Sequence, residues 1–133
     1  MQLVFSAHGT PVSLVKKGDP YSFHIKETVQ AVMKARKNSH EYHECYQSKV
    51  GPVKWLEPGT DTMIEELAEH GKKHLLVIPI SFVSDHIETS FELDIEYREV
   101  ADEVKIENYY VMEGLNDSPL FVEALKELVL KNV

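Results

Sequence analysis

The chain has 133 residues, 43% hydrophobic and 27% charged, which suits one domain with a core of its own. Its formal net charge of -8 argues against a nucleic-acid phosphate backbone as partner and favours cationic ligands, metal ions above all. A single cysteine, Cys45, excludes an internal disulfide and a multi-cysteine metal cluster, and no segment approaches the roughly 20 apolar residues that span a bilayer.

Residues 3–7 form a short apolar run without alternation, the pattern of a strand covered on both faces. Gly9, Pro11, Gly18 and Pro20 then punctuate a long loop. Ser22 is placed to cap a helix whose apolar stripe is Ile25, Val29, Val32 and Met33. Residues 42–48 read as a second strand, with Cys45 as a buried structural thiol. A loop marked by Gly51, Pro52, Pro58 and Gly59 carries the only tryptophan, Trp55. Thr60 or Asp61 caps the next helix, with Ile64, Leu67 and Ala68 inward and Gly71 as its stop.

The segment HLLVIPIS, from His74, is the strongest apolar run and predicts a central parallel strand, with Pro79 marking its end. An acidic helix follows, then a fourth strand over 106–112. A last helix over 118–130 turns Phe121, Leu125 and Leu128 inward, with Ser118 as cap and Pro119 in its first turn. Four strand–helix units predict an α/β fold: a four-stranded parallel sheet with helices on both faces and right-handed crossovers. Ligands of such sheets bind outside the carboxyl ends of the strands. Ser6 to His8, Ser81 to Glu88 and Glu113 to Asp117 all fall there.

His8, directly after a buried strand, either satisfies local backbone or points into the cleft as a base or metal ligand. Glu88 opens the acidic helix, where the dipole favours a carboxylate whatever the function. Glu92 and Glu96 follow at spacings of four, and like charges so spaced cost a few tenths of a kcal/mol per pair. Such a file is either a solvated face or a path for hydrated cations. Asp85 is a candidate cap with Glu88 completing the box, and His86 a neighbour able to support the site. Trp55 is a core lid or an aromatic wall for a flat ligand. His24, His40, His43, His70 and His74 read as surface or packing residues. GxGxxG, the phosphate loop and GxSxG are all missing.

Taken together, LVFSAHGTP (3–11), GDPY (18–21), YQSKVGPVKWLEP (46–58), PISFVSDHIETSFELDIEY (79–97) and LNDSPLF (115–121) resemble the C-terminal half of ferrochelatase, a class II chelatase. The resemblance covers nearly the whole chain. It implies a chelatase-like three-layer sandwich and ferrous iron insertion into a porphyrin in haem biosynthesis, a lyase reaction. It further implies that His8 faces Glu88 across the porphyrin cleft, with His86 among the catalytic residues and Asp85 and Asn116 supporting. Trp55, Tyr21 and Ser48 would then contact the porphyrin, and Glu92 and Glu96 would extend the metal site of His8 and Glu88 outward. Fe²⁺ would be a substrate, with Zn²⁺ or Co²⁺ as surrogates; no tightly bound cofactor and no iron–sulfur cluster are expected.

Ferrochelatases are about twice this length, so the resemblance implies one domain over residues 1–133 that lacks an N-terminal partner domain. That partner or a second copy of the chain would complete the cleft. Met1 is followed almost at once by a strand, as in a domain cut to its boundary or a compact gene, with no leader segment. The chain is therefore expected in the cytoplasm; the apolar loop around Leu14 and Val15 is open to peripheral membrane contact or to a partner domain, the latter favoured. The rival readings are a non-catalytic metal or tetrapyrrole binding module, a small homodimeric chelatase of the cobalamin or sirohaem type, and an α/β domain with a merely solvated acidic helix.

Overall fold

A computed structural model describes residues 1–133. Four strands, β1 (Gln2–His8), β2 (Tyr42–Gln47), β3 (His74–Pro79) and β4 (Asn108–Val111), form one sheet in the order β2-β1-β3-β4. Every neighbouring pair is parallel. The five α-helices are α1 (Val12–Lys16), α2 (Tyr21–Ala35), α3 (Thr60–Glu69), α4 (Tyr97–Glu103) and α5 (Pro119–Lys131); a π-helix (Thr89–Glu96) runs directly into α4. The predicted α/β sandwich is the fold observed.

The central strand β1 is buried along its length because both faces of the sheet are covered. Leu3, Phe5 and Ala7 meet Ile25, Val29 and Met33 of α2 on one side. Val4 meets Ile64 and Leu67 of α3, Leu93 of the π-helix and Ala101 of α4 on the other. Each fully buried large side chain of this set contributes roughly 1.5–3 kcal/mol. A strand pressed from both faces has no polar side to alternate with, which is why its sequence is apolar throughout.

The acidic helix departs from an α-helix. Across its end the Tyr97 N–H donates to the Glu92 carbonyl five residues back. Tyr109 of β4 donates its hydroxyl to the Leu93 carbonyl at 2.6 Å, tying the widened turns to the sheet. Burial, the largest influence, raises the Tyr109 pKa and keeps that donor protonated. Such widened turns are rare and gather at functional sites. Only Thr89 and Leu93 of the π-helix are buried; Ile95, which could have faced inward, is half-exposed.

Several local expectations are corrected. The loop after β1 contains the one-turn α1. Pro20, not Ser22, precedes the first residue of α2, and Asp19 accepts the Tyr21 N–H there at 2.9 Å. Gly59 stands at the cap of α3, because Thr60 is drawn into the core, where its hydroxyl lies 2.7 Å from Ser6 Oγ. The fourth strand is shorter than predicted, and Ile106 packs in the core ahead of it. Ser118 does cap α5, accepting the Phe121 N–H at 3.3 Å.

The largest correction concerns α5. It buries no residue: Leu125 and Leu128 are 47% and 58% exposed and Leu120 is 87% exposed. The two core faces are already closed by α2 and by α3 with α4, so nothing in this chain takes up the apolar stripe of α5.

Cys45 is buried as expected, with Sγ 3.3 Å from Thr60 Oγ1. Burial pushes its thiol pKa up to about 12, against about 8.5 for an unperturbed cysteine. The fold therefore favours the neutral thiol. That contribution is whole below the unfolded pKa and is lost as pH rises from there towards the folded value. Iodoacetamide at pH 8 is expected to leave the native protein unlabelled and to label it fully in denaturant, as mass spectrometry would report.

Candidate functional site

The strand order reverses direction around β1: β2 lies on one side of it, β3 and β4 on the other. The crevice outside the carboxyl ends of β1 and β3 is where ligands of such sheets bind. His8 is the last residue of β1 and stands in that crevice, its side chain 43% exposed. Gly9 follows it for a steric reason. A Cβ there would stand 2.6 Å from the Gln47 carbonyl oxygen, which accepts the Gly9 N–H at 2.7 Å.

Glu88 reaches the same crevice from the first turn of the acidic helix. Its Oε2 lies 3.5 Å from His8 Nδ1, and its side chain is 46% exposed. The two residues predicted to act together are thus brought face to face from opposite sides of the rim. His86 caps the helix that carries Glu88: its Nδ1 accepts the Glu88 N–H at 3.1 Å, and its carbonyl accepts the Ser90 N–H. That acceptor role leaves the proton of a neutral His86 on Nε2.

Phe82 stands between the two histidines. Its ring meets His8 edge-on at 5.9 Å and 85°, and His86 at 4.5 Å and 71°. Sequence reading passed over it because an apolar aromatic carries no chemistry of its own. Its position next to the end of the strongest apolar run was the signal available.

Asp85 does not complete a capping box with Glu88. Its carboxylate instead accepts from the Gly114 N–H at 2.7 Å and from Asn116 Nδ2 at 2.8 Å, while its own N–H donates to Asn116 Oδ1 at 2.9 Å. Two loops of the rim are pinned together by this pair. Gly114 permits it, since a Cβ there would stand 2.8 Å from the Asp85 nitrogen.

The rest of the acidic file is graded in exposure. Glu92 is half-buried, and both its carboxylate oxygens lie 2.8 Å from Ser48 Oγ, whose one proton they share. Ser48 adopts the left-handed region, at φ 63, to aim that hydroxyl. Glu96 is exposed farther out, and Lys49, Asp61 and Tyr97 border the same hollow as Glu92 and Glu96. No three His, Cys, Asp or Glu side chains form a group that could hold a metal ion. Glu88, Glu92 and Glu96 lie beside the exposed Ile87, Phe91 and Ile95.

Trp55 is half-buried, in an isolated bridge with Pro11, and its ring packs beneath Gly9; its Nε1 is buried without a hydrogen-bond partner. Tyr21 also arrives at the rim, where its hydroxyl donates to the His8 carbonyl at 2.9 Å. Ser81, which the sequence placed at the rim without a role, accepts the His8 N–H at 2.7 Å. His40, His43 and His70 lie near the opposite end of the sheet, away from this crevice.

The Asn116 amide and then the Gly114 N–H hold the Asp85 carboxyl below its usual pKa. A depressed carboxyl contributes stability above its unfolded value, about 3.9, and loses it as pH falls through the folded value. Asp85→Asn is therefore expected to lower the thermal midpoint at pH 7. Melts repeated toward pH 2 should show the gap to the unsubstituted chain closing.

The family model for ferrochelatase matches residues 1–133, the whole chain. A ferrochelatase of Geotalea uraniireducens (strain Rf4) is 53% identical over 133 residues, 100% of this chain and 41% of that protein. A ferrochelatase of Trichodesmium erythraeum (strain IMS101) is 52% identical over 98% of this chain and 34% of its own length. This chain therefore spans well under half the length of these relatives. Among solved structures, a putative cobalamin (vitamin B12) biosynthesis CbiX protein from Marinobacter aquaeolei VT8 shares the fold, at a TM-score of 0.66. The two are 17% identical, and the match covers 98% of this chain and 95% of that one. A match along its entire length, on a sheet whose rim joins His8 to Glu88, places this chain in the ferrochelatase family.

Proposed function

We propose that this chain is the C-terminal catalytic domain of a ferrochelatase, acting on a porphyrin and ferrous iron in haem biosynthesis, with Zn²⁺ or Co²⁺ as surrogate metals. The observation that carries the reading is the His8–Glu88 pair, 3.5 Å apart and open to the crevice. Insertion of a divalent ion into a free porphyrin releases two protons from ring nitrogens. A neutral imidazole and a carboxylate can each accept one. A carboxylate oxygen facing Nδ1 favours the imidazole proton there, which leaves the Nε2 lone pair for substrate.

The same groups suit delivery of the ion. A closed site of four ligands would retain it, whereas a pair with free positions binds it loosely. Glu92 and Glu96 extend the negative charge outward from Glu88, and Ser48 steadies Glu92. Trp55 and the exposed Ile87 and Phe91 offer apolar surface to a flat macrocycle. No helix of the chain is long and apolar enough to cross a membrane; we place the protein in the cytoplasm, with a partner domain rather than lipid against Leu14 and Val15 of α1.

The uncovered stripe of α5 supports a cleft completed by another domain or a second copy. On one face of this helix Leu125 and Leu128 are 47% and 58% exposed, as on a docking face.

Metal insertion into a free porphyrin, followed by absorbance, tests the reading. Turnover by the chain is expected to fall at least about 100-fold in His8→Ala and in Glu88→Gln, the scale of a lost general base. Porphyrin or metal binding without insertion would mean half an active site awaiting its other domain, or a binding module, and adding the missing domain would tell the two apart. Insertion at an unchanged rate in both variants would overturn the assignment of the pair. Sedimentation of the active form would then tell a self-completing dimer from a monomer.

A further inference from the structure

In a strand, the N–H and C=O of one residue point to the same edge, and successive residues alternate between edges. In β1 the odd residues face β2: Leu3 donates to the Glu41 carbonyl and Gly9 to the Gln47 carbonyl. The even residues face β3, where the Ser6 carbonyl accepts the Ile80 N–H at 3.1 Å. His8 is the next even residue, but β3 has ended at Pro79 and the chain turns away at Ile80 and Ser81. The ladder that orders β1 on this edge stops one step short of His8.

Two side chains take over. Ser81 Oγ accepts the His8 N–H at 2.7 Å, and the Tyr21 hydroxyl donates to the His8 carbonyl at 2.9 Å. They come from different elements: Ser81 from the turn after β3, Tyr21 from the first residue of α2, itself anchored through its N–H to Asp19. Burial, the main influence on Tyr21, raises its pKa and keeps the phenol a donor.

The imidazole has little else to hold it. Its side chain is 43% exposed, and its Nδ1 makes no hydrogen bond, the Glu88 oxygen standing 3.5 Å away. The Phe82 edge is its one aromatic contact. Its place is therefore set largely from the backbone end. We propose that Tyr21 and Ser81 are positioning residues whose two hydroxyls replace the missing sheet bonds at His8 and so fix its imidazole opposite Glu88. This deepens, and rests on, the assignment of His8 and Glu88 to metal handling. It gives Tyr21 a task through the backbone, where sequence alone suggested contact with the porphyrin.

The test compares the unsubstituted chain with Tyr21→Phe, Ser81→Ala, the double variant and Ser81→Thr. Two readouts are taken: nuclear Overhauser contacts between the His8 and Phe82 rings, and Co²⁺ affinity from visible absorption. The double variant is expected to lose the ring contacts and to bind Co²⁺ on the order of tenfold more weakly, as when a supporting partner of a metal ligand is removed. Ser81→Thr, which keeps a hydroxyl, should retain both. Thermal melts identify variants that remain folded, and the two single variants carry the test should the pair not fold.

Retention of the His8–Phe82 contacts in the folded variants would overturn the proposal. Loss of those contacts in Ser81→Thr as well would also overturn it, since packing rather than the hydroxyl would then be responsible. His8→Ala separates this from the wider reading. Unchanged Co²⁺ affinity in that variant would sink the metal-handling role of His8, while the ring contacts still decide whether the hydroxyls position it.

Discussion

The arrangement depends on the burial of β1 between two strands and beneath two layers of helix. A strand so confined has its register set on both edges, by Leu3 against Tyr42 on one and by Leu3 against Leu76 on the other. A slip of one residue would carry Phe5 and Val4 to the wrong faces at a cost of several kcal/mol. The position of His8 is the end of this chain of constraints. Mounted at the end of this strand, His8 stands 3.5 Å from Glu88.

Glu88 reaches the same point by a different route. The acidic helix is fastened at its start by the imidazole of His86 and along its inner side by Leu93 and the Tyr109 hydroxyl. Arg98 adds a tie at the following turn, donating to the Tyr109 carbonyl and lying over the Tyr109 ring. One face of the π-helix is therefore held tightly, while on the acidic side Ser48 holds Glu92 and Glu96 stays exposed.

Much of this was legible in the sequence, for identifiable reasons. The apolar run of β1 and the stripe at Ile25, Val29 and Met33 are direct consequences of burial, so they can be read back from it. Parallel topology then gathers the ends of β1 and β3 on one rim; that His8 faces Glu88 there was implied by the resemblance to ferrochelatase. The missed features depend on information that composition lacks. Asp85 fits a local capping box, but its partners lie 29 and 31 residues away. Ser81 became a partner of His8 only because β3 stops where it does. The helical spacing of Phe121, Leu125 and Leu128 announces that a face will be covered, without saying by what.

The stripe of α5 also bears on how the chain behaves in solution. At a net charge of -8, copies repel one another at long range while their exposed leucines and valines attract at contact. Added salt shortens the reach of the repulsion, to about 8 Å at physiological ionic strength, and leaves the attraction in place. The colloidal stability of the isolated chain is therefore a balance between acidic charge and one uncovered helix, tilted toward clustering as ionic strength rises.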